Sequence, residues 1–380
     1  MHANRDNHLA HASGGVLVTG ASGALGRLVL QQWAACESPP AIAVLVRSRA
    51  RWLELSSRLR IPSDVTILDG DVTQPGLGLT KASRAWVAQS TSAVVHLAAD
   101  TTFSRPLDLA RSVNRDGTRH LLDVIADCPH VTRLAHVSTA FVAGRRTGRI
   151  VEAAEGASTA DIGWVNAYEQ SKTEAEALVR AARRDVVILR SSTVACDDAS
   201  GVVTQRNVIH RALRLFHDGF AAMIPGGAGS TLDVVTADYV ADGIARIALR
   251  DAVDGETVHL CAGAGAIPLS ELLDESYARW SQDINWRRRG IAAPSLGDLA
   301  TWELFASAIE ETGHARLRQV TQALSFFLPQ LGLPKEFVTA RATELLGAPA
   351  PQVREYWGRM IDHLEATSWR GVAGLSEVAA

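Results

Sequence analysis

The sequence predicts an α/β protein: a doubly wound parallel sheet with a smaller, mostly helical substrate-binding lobe. Three observations carry that prediction. Short Val-, Ile- and Leu-rich runs alternate with helical stretches over the first 195 residues. The runs are apolar on successive residues, the pattern of parallel strands buried on both faces. The first run passes through closely spaced glycines into a helix, Gly20-Ala21-Ser22-Gly23-Ala24-Leu25-Gly26.

In chain order the strand signals fall at 15–19, 41–46, 65–68, 93–97, 132–138 and 185–189, with the clearest helices at 24–35, 107–127 and 166–183. Repeating βα units predict a Rossmann-type sheet with right-handed crossovers, in preference to an α+β arrangement. After Arg190 the rhythm breaks. A helix is expected near 207–218, then a glycine-rich segment at 225–229, a strand at 231–236, a helix at 238–250 and a last strand at 257–261. From about Ser270 the chain reads as helical, punctuated by Pro294, Pro329, Pro334, Pro349 and Pro351. The predicted organisation is a cofactor domain at 14–195, completed by 232–262, and a substrate lobe built from 196–231 and 263–380.

Composition narrows the function. Hydrophobic residues make up 47% and charged residues 21% of the chain, as in a soluble globular protein. A net charge of −3 speaks against nucleic-acid binding, which calls for a basic stripe. Cys36, Cys128, Cys196 and Cys261 show no metal-ligand spacing, so no metal is expected and each reads as a small buried residue. The first 13 residues are polar, read as disordered, and do not resemble a signal peptide. No apolar run approaches the roughly 20 residues of a membrane span. A cytoplasmic location is expected; the oligomeric state stays open. Basic charge is almost all arginine, with Lys81, Lys172 and Lys335 the only lysines.

The glycine turn predicts a pyrophosphate site. Gly20, Gly23 and Gly26 allow a tight turn and close backbone approach, while Ser22, Ala24 and Leu25 lie at the helix N-terminus, whose N–H groups favour an anion. Where an NAD-selective site carries a carboxylate, after the second strand, this chain has Arg47. A guanidinium can grip a 2′-phosphate, so NADP(H) is expected in preference to NAD(H), although a solvated arginine is the competing reading. Asp71 and Val72 could border the adenine or simply cap a loop. Leu97, Ala98 and Ala99 are small enough to let the backbone lie against the cofactor or to pack tightly.

Tyr168 and Lys172 stand four apart at the start of the 166–183 helix, on one face. The ammonium is expected to favour the phenolate and lower the phenol's pKa. Val137, Ser138 and Thr139 end the fifth strand, where substrate would meet cofactor, and a hydroxyl there can polarise a carbonyl.

Together these motifs resemble an extended short-chain dehydrogenase/reductase, nearest the thioester-reductase and fatty acyl-CoA reductase branch. The residues are Thr19 to Gly26, His96-Leu97-Ala98-Ala99-Asp100, Asn114-Arg115-Asp116-Gly117-Thr118, His136 to Val142, the Tyr168/Lys172 pair, and Asp233 to Val240. The resemblance implies Tyr168 as proton donor, Lys172 on the nicotinamide ribose and Thr139 as the polarising hydroxyl. It also implies a supporting place for Asn114, and Ser191 and Thr193 beside the nicotinamide. Two departures bear on the substrate: Ser191 follows Arg190 where the family has proline, and 195–198 lacks the family's glycine.

The expected function is NADPH-dependent reduction of a carbonyl, an acyl thioester or its aldehyde. With no adenylation or carrier module in the sequence, the thioester is expected on a separate carrier protein or on CoA. A sugar-nucleotide epimerase and a non-catalytic cofactor-binding regulator are the alternatives. A dehydratase is disfavoured because Ala140 and Phe141, not an acid pair, follow Thr139. Residues 319–370 are expected to supply a lid, with Phe326, Phe327, Leu328 and Trp357 as an apolar wall. Arg287, Arg288 and Arg289 form a patch for an acidic carrier or phosphate, or a solvated strand end.

Overall fold

The computed structural model describes residues 14–61, 64–153, 161–182, 185–227, 229–250 and 253–371; the reading of residues 1–13 lies outside them. Seven parallel strands form the central sheet: β1 (Gly15–Thr19), β2 (Ile42–Val46), β3 (Thr66–Asp69), β4 (Thr91–His96), β5 (Arg133–Thr139), β6 (Val186–Ser191) and β7 (Thr257–Leu260). Their order across the sheet is β7-β6-β5-β4-β1-β2-β3. The order in which strands are added reverses between β1 and β4, so the carboxyl ends of those two parallel strands flank the crevice where such folds bind ligands.

Burial explains the unbroken apolar runs. Val16, Val18, Val44, Val95, Ala135, Val187 and Leu189 face one layer, while Leu17, Ala43, Leu45, Val94, Leu134, Val186 and Ile188 face the other. Helices α1 (Ala24–Ala34), α2 (Arg49–Ser56), α3 (Lys81–Ser90), α4 (Leu107–Ala126), α5 (Ala167–Ala182), α6 (Val208–His217) and α7 (Ala237–Ile247) follow in order. On one face α1 packs against α7, locked by Trp33 Nε1 donating to the Ala245 carbonyl at 3.0 Å. On the other, α4 packs against α5, which carries the predicted catalytic pair.

Several details differ from the sequence reading. The strand expected at 231–236 is two, Thr231–Leu232 and Val234–Thr236. Asp233 between them turns inward, its carboxylate accepting from the Ala262 and Gly263 N–H groups at 2.8 Å each. Cys36 is only half-buried, unlike the other three cysteines. The Arg287–Arg289 patch ends a short helix, Ile284–Arg288, not a strand. Trp357 lies in the core, its Nε1 donating to Ser276 Oγ, and forms no channel wall. Among the described residues no helix is long and apolar enough to cross a membrane, and no cluster of His, Cys, Asp or Glu is arranged to hold a metal.

Candidate active site

The turn after β1 has the geometry its glycines predicted. Gly20 sits at φ 73°, and a Cβ there would lie 2.6 Å from the Ala98 nitrogen. At Gly26 a Cβ would run into the Gly20 carbonyl oxygen. Only glycine closes this loop so tightly against β4. Gly23 N–H donates to Gly20 O at 2.9 Å, and α1 then begins with no side-chain cap and no acid in its first turn. An uncapped N-terminus behind a glycine cradle fits a dinucleotide pyrophosphate. Ser22 and Gly23 are exposed on the rim, with Ala24 and Leu25 half-buried behind them.

The loop after β4 is fixed to this turn. Leu97 N–H donates to the Thr19 carbonyl at 3.1 Å, and Ala98 N–H to Thr19 Oγ1 at 3.3 Å. Beneath it, Thr19 Oγ1 lies 2.6 Å from His96 Nδ1, and His96 Nε2 lies 3.1 Å from Thr118 Oγ1. Burial, then the charge of Lys172, drives His96 down to about 3, so the imidazole is neutral. Arg47 is exposed at the end of β2. Arg49, by contrast, is committed to Asp69 at 2.8 Å and to the Ile67 carbonyl at 2.7 Å. Asp71 caps its own loop, accepting from the Thr73 N–H and hydroxyl at 2.9 Å each, while Val72 packs under Gly117.

Thr139, Tyr168 and Lys172 come together at the carboxyl end of β5. The Thr139 hydroxyl stands beside the Tyr168 phenol and favours its ionised form, while its Oγ1 accepts from Phe141 N–H at 3.3 Å. The parallel register sets Thr139 beside Ser191 at the end of β6, with Oγ1 3.4 Å from the Ser191 carbonyl. Thr193 lies beyond, in a short strand (Thr193–Cys196) that pairs with Val234–Thr236. Lys172 Nζ donates to the Val137 carbonyl at 2.8 Å and lies 3.4 Å from His136 Nε2.

Electrostatics correct one expectation. The phenol is not lowered by the neighbouring ammonium. Burial pushes Tyr168 up to about 12, the Thr139 hydroxyl offsets part of that, and the charge of Glu169 adds to it. The ammonium is turned to the Val137 carbonyl, and burial lowers Lys172 itself to about 8, against the pull of Glu176. Tyr168 is therefore a protonated donor at neutral pH, and Lys172 a soft, desolvated cation.

Asn114 has the supporting place that the family resemblance implies, through contacts that the sequence does not show. Asn114 is buried in α4, and its Oδ1 accepts from Asp100 N–H at 2.8 Å. Its Nδ2 donates to the Asp100 carbonyl at 3.0 Å and to Ser171 Oγ at 2.9 Å. Asn114 thus ties the loop after β4 to α5. Phe103, on that loop, was not singled out. Its ring stacks on Tyr168 at 5.3 Å and meets Phe141 edge-on at 6.2 Å and Phe327 at 6.5 Å. An isolated phenylalanine in a polar loop gives no periodic signal by which to find it.

Comparison with known proteins identifies the family and the fold. The family model described as Male sterility protein, an NAD-binding domain, matches residues 18–244. Fatty acyl-CoA reductase wat of Drosophila melanogaster is 26% identical over 145 residues, covering 33% of this chain and 28% of that protein. The chain therefore matches less than a third of that relative's length. The terminal R domain of the myxalamid PKS-NRPS pathway superposes with a TM-score of 0.73 at 22% identity, over 95% of this chain and 93% of that one. UDP-glucuronic acid 4-epimerase from Bacillus cereus, in complex with NAD, gives 0.61 at 16% identity, over 93% and 99%. Both structures share this fold.

Proposed function

The chain belongs to the Male sterility protein family, within the extended short-chain dehydrogenase/reductases, and from that premise we propose that it reduces an acyl thioester with NADPH. The observation that carries the reading is the Tyr168 phenol stacked under Phe103 beside the Thr139 hydroxyl, one helical turn from Lys172, with Phe141 and Phe327 around the Phe103 ring. The fatty acyl-CoA reductase and R-domain similarities point to the same substrate class.

Bound nicotinamide would supply the hydride. The glycine turn would seat the pyrophosphate, and Lys172 would hold the ribose. The Thr139 and Tyr168 hydroxyls would bind the thioester carbonyl oxygen and stabilise the charge that gathers on it. As the C–H bond forms at the carbonyl carbon, the Tyr168 proton passes to that oxygen. The resulting hemithioacetal loses its thiol by C–S cleavage, the hydroxyl proton leaving with sulfur, and an aldehyde remains. The aromatic roof excludes water from this step. Leu97, Ala98, Ala99, Val137, Ser138, Ser191 and Thr193 would line the nicotinamide pocket.

NADPH consumption against carrier- and CoA-bound thioesters, aldehydes and sugar nucleotides tests the reading. Oxidation driven by thioester is expected. Turnover of sugar nucleotides alone, with no net NADPH used, would establish the epimerase alternative instead. Cofactor choice has its own test. Arg47 is exposed directly after β2, whereas Arg49 is held by Asp69. Arg47→Ser is expected to weaken NADPH binding about 10–100-fold, the loss of one or two charge-assisted hydrogen bonds, and to leave NADH unaffected. Equal effects on both cofactors, measured by nucleotide fluorescence, would remove Arg47 from the phosphate site.

A further inference from the structure

Residue 169 follows the catalytic tyrosine and is fully buried, yet it is a glutamate. Its Oε2 accepts from Val165 N–H at 2.9 Å, and its Oε1 from Asn166 Nδ2 at 3.1 Å and from Gln330 Nε2 at 2.5 Å. Gln330, 161 residues away, presents its amide oxygen to Lys335 Nζ at 2.8 Å. The amide is oriented by charge at both ends, NH2 to the carboxylate and C=O to the ammonium. Asn166 adds a parallel link, donating to the Phe326 carbonyl at 3.1 Å. On the far side, a short strand at Lys335–Phe337 pairs with Gly148–Ile150, and Gly148 N–H donates to the Pro334 carbonyl at 2.8 Å. The same segment supplies Phe327 to the aromatic roof over Tyr168.

We propose that Glu169, Gln330 and Lys335 form a polar clasp that draws the C-terminal segment 326–337 onto the catalytic helix and so fixes Tyr168 under its roof, with Gln330 and Lys335 acting as positioning residues. The inference rests on the reductase reading and extends it to the origin of the site's closure. Two of the chain's three lysines are thereby accounted for at the site. Residues deleting any link would leave a buried charge or amide without its partner, the costly way to break such a network.

Proton linkage follows from the same geometry. Burial raises Glu169 to about 7, opposed by the Val165 and Gln330 hydrogen bonds and by the charges of Lys335 and Arg145. Burial lowers Lys335 to about 8, opposed by Glu169, with Arg145 and Arg146 pressing in the same direction as burial. Gln330 and Lys335 both favour the ionised carboxylate, so, with Glu169 still buried in the helix when the clasp is open, the clasp's own contribution is lost as pH falls through about 7. Removing Lys335 takes away a charge that holds Glu169 down, which moves this loss to higher pH.

The test uses Lys335→Met and Gln330→Leu in the full chain. Each is expected to lower kcat about 10–100-fold, the scale of a small misplacement of reacting groups, with cofactor KM little changed. The acid limb of the kcat profile should move to higher pH in Lys335→Met. Amides of 328–337 should exchange faster, and the Tyr168 phenol, read as the ultraviolet difference from a Tyr168→Phe protein, should titrate at lower pH as water reaches it. In a Glu169→Gln, Lys335→Met double variant the losses should fall short of the product of the singles. Wild-type exchange and phenol titration in both single variants would overturn the clasp. Those two readouts need no turnover, so they decide it even where no thioester is reduced and the reductase reading itself fails.

Discussion

Tyr168→Phe is expected to lower thioester reduction by about 10²–10⁴-fold, the range for removing a positioned proton donor, while the nucleotide still binds. The change takes away one hydroxyl and leaves the ring. The stack on Phe103 at 5.3 Å persists, so the roof and the fold should hold. Lys172 keeps its bond to the Val137 carbonyl at 2.8 Å, so its place in the site survives as well. What is lost is the proton for the carbonyl oxygen and the hydroxyl beside Thr139. Because burial holds the phenol near 12, it stays protonated throughout the neutral range, and the loss should be constant across that range. Single-turnover oxidation of NADPH with a saturating thioester measures the effect. A variant with full activity would show that the proton comes from elsewhere.

The largest expected effect on stability belongs to Arg190→Met. Arg190 is fully buried at the β6 end, and it grips Glu176 of α5 in bidentate fashion at 2.9 and 2.7 Å. Methionine fills much of the volume but leaves the buried carboxylate with Arg180 at 3.8 Å as its remaining cation, and breaking a buried pair from one side costs about 3–5 kcal/mol. Burial alone would raise Glu176. The Arg190 charge and hydrogen bonds outweigh it and hold the group below its ordinary 4.5. A carboxylate depressed on folding contributes stability above its unfolded value and loses it as pH falls through the folded one. The gap between the two proteins in urea midpoint should therefore be wide at neutral pH and narrow in acid. A constant gap from neutral to acid would mean that the loss is one of packing, not of charge.

Much of the fold was legible because parallel strands buried on both faces leave little freedom in sequence. β1 was placed to the residue, and the other central strands to within about two residues at either end. Helices α2 and α3 escaped notice for the opposite reason: each buries one apolar side chain, Trp52 in α2 and Val87 in α3, too few to mark a periodic face. The break at Asp233 was hidden because a buried carboxylate served by two backbone N–H groups leaves the apolar residues around it unchanged.

The candidate site divides along the same line. The glycines and the Tyr168–Lys172 spacing are local patterns, and local patterns can be read. Asn114, Phe103, Gln330 and Lys335 act across separations of dozens to more than a hundred residues, and only the folded chain brings them to one place. The direction of the phenol's shift was misjudged for a related reason. Spacing says which groups are neighbours on a helix, whereas solvation depends on everything packed around them.

The pairing of Lys335–Phe337 with Gly148–Ile150 has a consequence for assembly. A growing chain can complete six of the seven central strands, and with them the nucleotide cradle, when little more than half of it has been made. The neighbour for 148–150 arrives almost two hundred residues later. During synthesis Phe103 and Phe141 thus emerge well before Phe327, so the part of the roof carried by 326–337 is added after the nucleotide cradle.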